Sequence, residues 1–157
     1  MTQGEFASRI IAMQDALYRV STTILPQLAD REDAVQEAIA KAWQKQSMLR
    51  DDRAMRAWVM RILINECYAL LRHRKREEVS SALPERETVP DALPNLYQLF
   101  TSLDEKYRLP MVLYYVEGYS VEETARMLRL PQGTLKSQLH RGRLLLKDAL
   151  YMEEVLA

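Results

Sequence analysis

The segment Gly118–Lys147, GYSVEETARMLRLPQGTLKSQLHRGRLLLK, constrains this chain more than any other. Ser120 followed by Glu123 is a capping box. The hydroxyl can accept from the Glu123 backbone N–H while the carboxylate reaches back, so a helix is expected to start there. Gly118 suits a turn with unusual backbone angles. Ala125, Leu128 and Leu130 are expected on the buried side of this helix. Pro131-Gln132-Gly133 should end it and start the next, because Pro fits only near a helix start. The second helix is expected to bury Leu135, Leu139, Leu144 and Leu145, and to expose Lys136, Ser137, His140, Arg141, Arg143 and Lys147. That pattern is a helix-turn-helix whose second helix is shaped for the major groove of DNA.

Composition extends the helical reading to the whole chain. Only four glycines occur among 157 residues. Ala, Leu, Met, Glu, Lys, Arg and Gln dominate, and no alternating strand pattern stands out, so an all-α fold is expected. A net charge of zero is unusual for a DNA-binding chain. Its distribution resolves this. Residues 41–76 hold ten basic and three acidic residues, and residues 132–149 hold four and one, which makes two positive blocks. Phosphate binding depends on such local patches more than on the total. One cysteine, Cys67, excludes an internal disulfide and fits a reducing compartment. The polar start MTQGEFASR lacks an apolar signal segment, and no apolar run approaches ~20 residues, so a cytoplasmic protein without membrane insertion is expected.

The segment Glu77–Asn95, with Pro84, Pro90, Pro94 and many acids, reads as a linker. It separates helical units expected at residues 1–76 and 96–157. Fully extended, ~18 residues reach ~60 Å. That exceeds one and a half duplex turns at ~34–36 Å each, so the units could hold two well-separated DNA sites.

In the first unit, Val35, Ala38, Ile39, Ala42 and Trp43 recur at helical spacing and are expected to face a core. Asp30 is the expected N-cap. Asp33, Gln36, Glu37, Ala40 and Gln44 fall on the opposite, polar side. A longer helix is expected over Arg53–Arg76, with Met55, Val59, Ile62, Leu63, Leu70 and Leu71 on its apolar side. Arg61, Asn65, Tyr68 and Arg72 form one narrow stripe on it. Arg contacts phosphates, Asn can bond two edges of a base, and Tyr offers a stacking face. From the residues alone the stripe is equally a solvated edge with Tyr68 packed on the core. Glu66 sits amid the apolar side, where a neighbouring arginine is its expected partner. Cys67 is expected to be buried.

Three segments together resemble the extracytoplasmic-function type of bacterial RNA polymerase sigma factor, in the sigma-70 family. They are Asp33-Ala-Val-Gln-Glu with Lys41-Ala-Trp43; Ala57-Trp58 with Arg61-Ile62, Asn65 and Leu71-Arg72; and Tyr119-Ser-Val-Glu-Glu-Thr-Ala through Gly133-Thr-Leu-Lys-Ser137 to Arg141-Gly-Arg143. The resemblance spans almost the whole chain. It implies two helical domains, regions 2 and 4, joined by a flexible linker. It also implies a monomer that binds core RNA polymerase and promoter DNA and is held in check by an anti-sigma factor. Asp33, Gln36 and Glu37 match the face that meets the polymerase. Arg61, Asn65, Tyr68 and Arg72 fall in the part that opens and reads the −10 element, with Asn65 beside the captured base. Lys136, Ser137, His140 and Arg141 match readers of the −35 element, with Arg143 and Lys147 on phosphates or the helix end. Trp58 fits the core better than a melting wedge. Gln138 and His140 depart from the commonest choices in the family and are expected to alter promoter preference.

Neither cofactor nor catalytic residue is expected. His73 and His140 lie far apart, and no metal-ligand cluster, phosphate-binding glycine loop or nucleophile motif occurs. A one-domain transcription regulator would account for the helix-turn-helix but not for the Asn65 stripe. A helical adaptor that binds only proteins would leave the two basic blocks without a role.

Overall fold

The computed structural model describes residues 1–77 and 99–156, with side chains through Tyr151. Beyond Glu77, the expected linker lies outside the described residues. The chain divides into two compact units, Met1–Thr88 and Val89–Ala157. Every regular element among the described residues is helical.

The first unit is built on three helices: α1 (Gln3–Ile24), α2 (Leu28–Gln44) and α3 (Met55–Glu77). Each packs against the other two. Thr2 and Glu5 form a capping box that starts α1. Phe6, Ile10, Met13, Leu17, Val20 and Ile24 follow at alternating steps of four and three residues, and all are buried. Pro26 follows the end of α1, where the preceding residue, Leu25, is extended. The turn carbonyls left open there are taken by Arg31, which is itself buried. Its Nε donates to the Leu25 carbonyl at 2.9 Å and its Nη2 to that of Pro26 at 3.0 Å.

Two expectations for α2 need correction. The helix begins at Leu28 with Gln27 as N-cap, so Asp30 lies inside the first turn and caps nothing. The short link after Pro26 re-enters the helix at once and turns Asp30 inward, where it accepts from Arg74 Nε at 3.2 Å and Nη2 at 2.8 Å. The fully buried line is Ala34, Ala38 and Ala42. Val35 and Ile39 are only half-buried, and Trp43 is 43% exposed. Small side chains let α2 lie close to both neighbours, so its most buried line follows contact geometry rather than side-chain size.

Helix α3 follows a short 3₁₀ turn, Asp52–Ala54. It buries Met55, Val59, Met60, Leu63, Ile64 and Cys67. Ile62, Leu70 and Leu71, expected in the core, are half-buried instead. Ile62 lies at the edge of the buried arc, and Leu70 and Leu71 lie on that arc but beyond Cys67, the last fully buried residue of the helix. Trp58 is also half-buried, edge-on to Phe6 with ring centroids 6.5 Å apart. That contact ties it to the core.

Cys67 is fully buried, as expected. Burial pushes its thiol up to about 12, and the Glu66 carboxylate adds to the effect. An unfolded thiol ionises near ~8.5. Between those values the folded chain holds the extra proton, so this group's stabilising contribution falls as pH rises. At pH 8 the native thiol should react with a disulfide reagent at least ~100-fold more slowly than the denatured chain. Equal rates would mean that the site opens readily.

The second unit contains α4 (Glu105–Met111), a π turn (Val112–Val116), α5 (Val121–Leu128) and α6 (Gln132–Leu156). Pro110 lies inside α4 and cannot donate a backbone bond there. The pattern then widens, and Glu117 N donates to the Val112 carbonyl at 3.0 Å. Leu109, Val112 and Leu113 are buried scaffold residues. Gly118 adopts φ +77°, and Ser120 and Glu123 complete the capping box of α5.

Helix α5 ends earlier than the Pro-Gln-Gly signal suggests. Arg129 takes the left-handed conformation at φ 56° and closes it, at a cost of about 1 kcal/mol for a residue with a Cβ. Ala125 is buried, Leu128 and Leu130 are half-buried, and Thr124 and Met127 join the core. In α6, Leu135, Leu139 and Gly142 form the buried line. A Cβ on Gly142 would lie 3.0 Å from Met111 Cγ and Sδ, so the glycine permits a close approach. Leu144, expected to be buried, is 43% exposed. It stands two positions past Gly142, about 200° around the helix. Leu145 is half-buried.

Candidate nucleic-acid and partner interfaces

Helix α6 carries its polar residues on an exposed side that also includes Leu144. Lys136, Ser137, His140, Arg141, Arg143 and Lys147 are all exposed, while Leu135, Leu139 and Gly142 are buried; Arg143 and Lys136 flank that buried line and Ser137, His140 and Arg141 lie farther round the helix. The Ser137 hydroxyl donates to the Gly133 carbonyl at 3.1 Å and keeps its lone pairs for a further partner. Arg143 Nη1 donates to the Tyr115 hydroxyl at 3.0 Å. Tyr115 had no sequence signal for this role; the π turn brings it there. Gln138 sits at the edge of the buried line and is half-buried. Its Oε1 is closed to solvent and has no partner among the described residues. Gln138 therefore flanks the exposed basic face, while His140 lies within it.

On α3, Asn65 and Arg72 are exposed, whereas Arg61 and Tyr68 are half-buried. Helical spacing brings the four to one side of α3, with an amide and a phenol between two guanidinium groups. Glu66 corrects an expectation. Its partner is Lys41 on α2, not an arginine: Lys41 Nζ donates to Glu66 Oε1. That hydrogen bond holds the Lys41 ammonium above the usual lysine range, against the opposing effect of desolvation. The basic run that ends α3 is partly committed. Arg74 is held by Asp30, and His73 lies 3.1 Å from the Glu77 carboxylate, while Lys75 and Arg76 are exposed.

On α2, Asp33, Gln36 and Glu37 are exposed and lie on one side. Beside them runs an apolar groove of about 460 Å³, walled by Ile10 and Ile11 of α1 and by Gln36, Ile39 and Trp43 of α2. The sequence assigned Ile39 and Trp43 to the core. Their lack of full burial opens the groove. The buried Phe6 lies edge-on to Trp43, with centroids 6.0 Å apart. Among the described residues no group of three or more His, Cys, Asp and Glu could hold a metal, and no helix is long and apolar enough to cross a membrane.

The pattern is that of a helical DNA-binding protein with two units. Residues 10–77 match the model of sigma-70 region 2, and residues 93–146 match that of sigma-70, region 4. The RNA polymerase sigma-E factor of Streptomyces coelicolor is 31% identical, over 96% of this chain and 89% of its own length. ECF RNA polymerase sigma factor SigW of Bacillus subtilis is 29% identical, over 94% and 90%. Among solved structures, the sigma factor RpoE of Bartonella quintana, in complex with the anti-sigma factor NepR, is similar with a TM-score of 0.82. It is 26% identical, and the match covers 94% of this chain and 97% of that one. The chain belongs to the sigma-70 family of RNA polymerase sigma factors, in its extracytoplasmic-function group. Members of this family are transcription initiation factors rather than enzymes.

Proposed function

We propose that this chain is an alternative sigma factor that binds core RNA polymerase and directs it to promoters with two recognition elements. Residues 1–76 act as region 2, 77–95 as the linker and 96–157 as region 4. Asp33, Gln36 and Glu37 meet the polymerase. Asn65 takes a −10 base, Tyr68 offers a stacking face, and Arg61 and Arg72 hold the backbone. Lys136, Ser137, His140 and Arg141 read the −35 element, with Arg143 on a phosphate. The polymerase performs nucleotidyl transfer, and this chain supplies no catalytic group. It acts in the cytoplasm as a monomer, and an anti-sigma factor restrains it by covering the same surfaces. The Bartonella relative is in complex with an anti-sigma factor, which supports a partner of that kind.

One observation carries the reading. In each unit the proposed DNA residues cluster on one side of a single helix whose opposite side forms that unit's core. This suits two rigid readers on one chain. The polymerase face is tested by Gln36→Ala with Glu37→Ala. Removing polar contacts of this kind costs ~1–2 kcal/mol at an interface, so affinity for core polymerase should fall about 10-fold in a titrated pull-down. Wild-type recovery would leave that face a solvated surface.

A further inference from the structure

Asn65 can serve a base only if α3 is held at one rotation about its axis. Successive side chains diverge by about 100° around a helix, so fixing one residue sets the direction of the next. Glu66 is that next residue. Its side chain is only 16% exposed and is anchored to Lys41 on α2, whose side chain is 37% exposed. A second ion pair, Asp30–Arg74, joins the same two helices nearer the end of α3. The pairing order, Lys41 with Glu66 and Asp30 with Arg74, shows that α2 and α3 run antiparallel. They are fastened at two places, and the Lys41–Glu66 pair is the one beside Asn65. A carboxylate so little exposed needs its partner, because leaving it unpaired incurs the desolvation cost.

We propose that Lys41 is a positioning residue for promoter opening: through Glu66 it holds the rotation of α3 that turns Asn65 toward the −10 base. This inference rests on the proposed role of Asn65. It adds a role for a lysine whose place in the basic block suggests a phosphate contact. Lys41 instead pairs its half-exposed ammonium with Glu66 of the same chain, on the helix that carries the polymerase face.

The test uses holoenzyme assembled from core polymerase and full-length variants. Lys41→Met keeps the stem and removes the charge. It should lower the rate of promoter opening about 10-fold and reduce discrimination between the native −10 sequence and a single-base variant by a similar factor. Core affinity and the upstream footprint should stay within about 2-fold of wild type. Lys41→Arg should restore most of both losses. A purely structural pair would instead lower core affinity and opening together and leave discrimination unchanged. That result, or no change at all, overturns the proposal. If Lys41→Met proves too unstable to assay, the reversed pair Lys41→Glu with Glu66→Lys decides. Recovery of fold and discrimination together supports the proposal, and recovery of fold alone overturns it. Asn65→Ala is measured in parallel. If it impairs opening while Lys41→Met does not, only the positioning role fails. If Asn65→Ala opens promoters normally, the reading of α3 fails and the positioning role falls with it.

Discussion

Replacing Asn65 with alanine should leave a holoenzyme that assembles and finds promoters but opens them about 10- to 100-fold more slowly. Turning a base out of the stack costs a few kcal/mol. A side-chain amide making two hydrogen bonds to one base returns roughly 1–3 kcal/mol of that, which sets the range. The effect should be confined to opening, because Asn65 lies on α3 while Asp33, Gln36 and Glu37 are exposed on α2. Permanganate reactivity of unpaired thymines, followed over time, measures the rate. A template already unpaired across the −10 element should recover much of the loss, since the protein no longer has to open it. Unchanged opening on the native duplex would remove Asn65 from its proposed role.

The second large effect belongs to α6. Lys136→Ala with Arg141→Ala should weaken upstream promoter binding about 100-fold at moderate salt. One lost base or phosphate contact is worth ~1–3 kcal/mol, and a lost phosphate contact also lowers the salt dependence of binding by about one power. Both side chains are exposed, on a helix anchored by Leu135, Leu139 and Gly142. Their removal should therefore not disturb the fold. Footprints across a salt series report both quantities. Full upstream protection by the double variant would place −35 recognition elsewhere.

Much of this architecture is legible in the sequence, for identifiable reasons. A capping box is a local device, so Ser120 and Glu123 announced the start of α5 correctly. The exposed basic side of α6 could be read because helical geometry alone fixes which residues oppose Leu135 and Leu139. Rotations set by tertiary packing could not be read. The buried line of α2 keeps Ala38 and Ala42 from the expected stripe but adds Ala34 and leaves Val35, Ile39 and Trp43 partly open, because alanine carries little signal and the neighbouring helices decide what is covered. Leu144 was legible: its size suggested the core, but helical spacing alone places it about 180° from Leu135. Ion pairs between distant residues leave no local trace. Glu66 with Lys41 and Asp30 with Arg74 join positions 25 and 44 residues apart. Nothing about an arginine marks Arg129 as a left-handed cap. The Arg143–Tyr115 contact depends on the π turn, whose only sequence sign is Pro110.

The central claim is that two helical surfaces on one chain serve a single polymerase. The most direct measurement is reconstituted transcription. Purified chain and core polymerase are supplied with a genomic promoter library, and start sites are mapped. The account predicts transcripts that depend on the added chain and begin downstream of two shared sequence elements at one spacing. It further predicts that Asn65→Ala loses dependence on the downstream element and Lys136→Ala/Arg141→Ala on the upstream one. Transcription that ignores the added chain, or start sites sharing only one element, would contradict it.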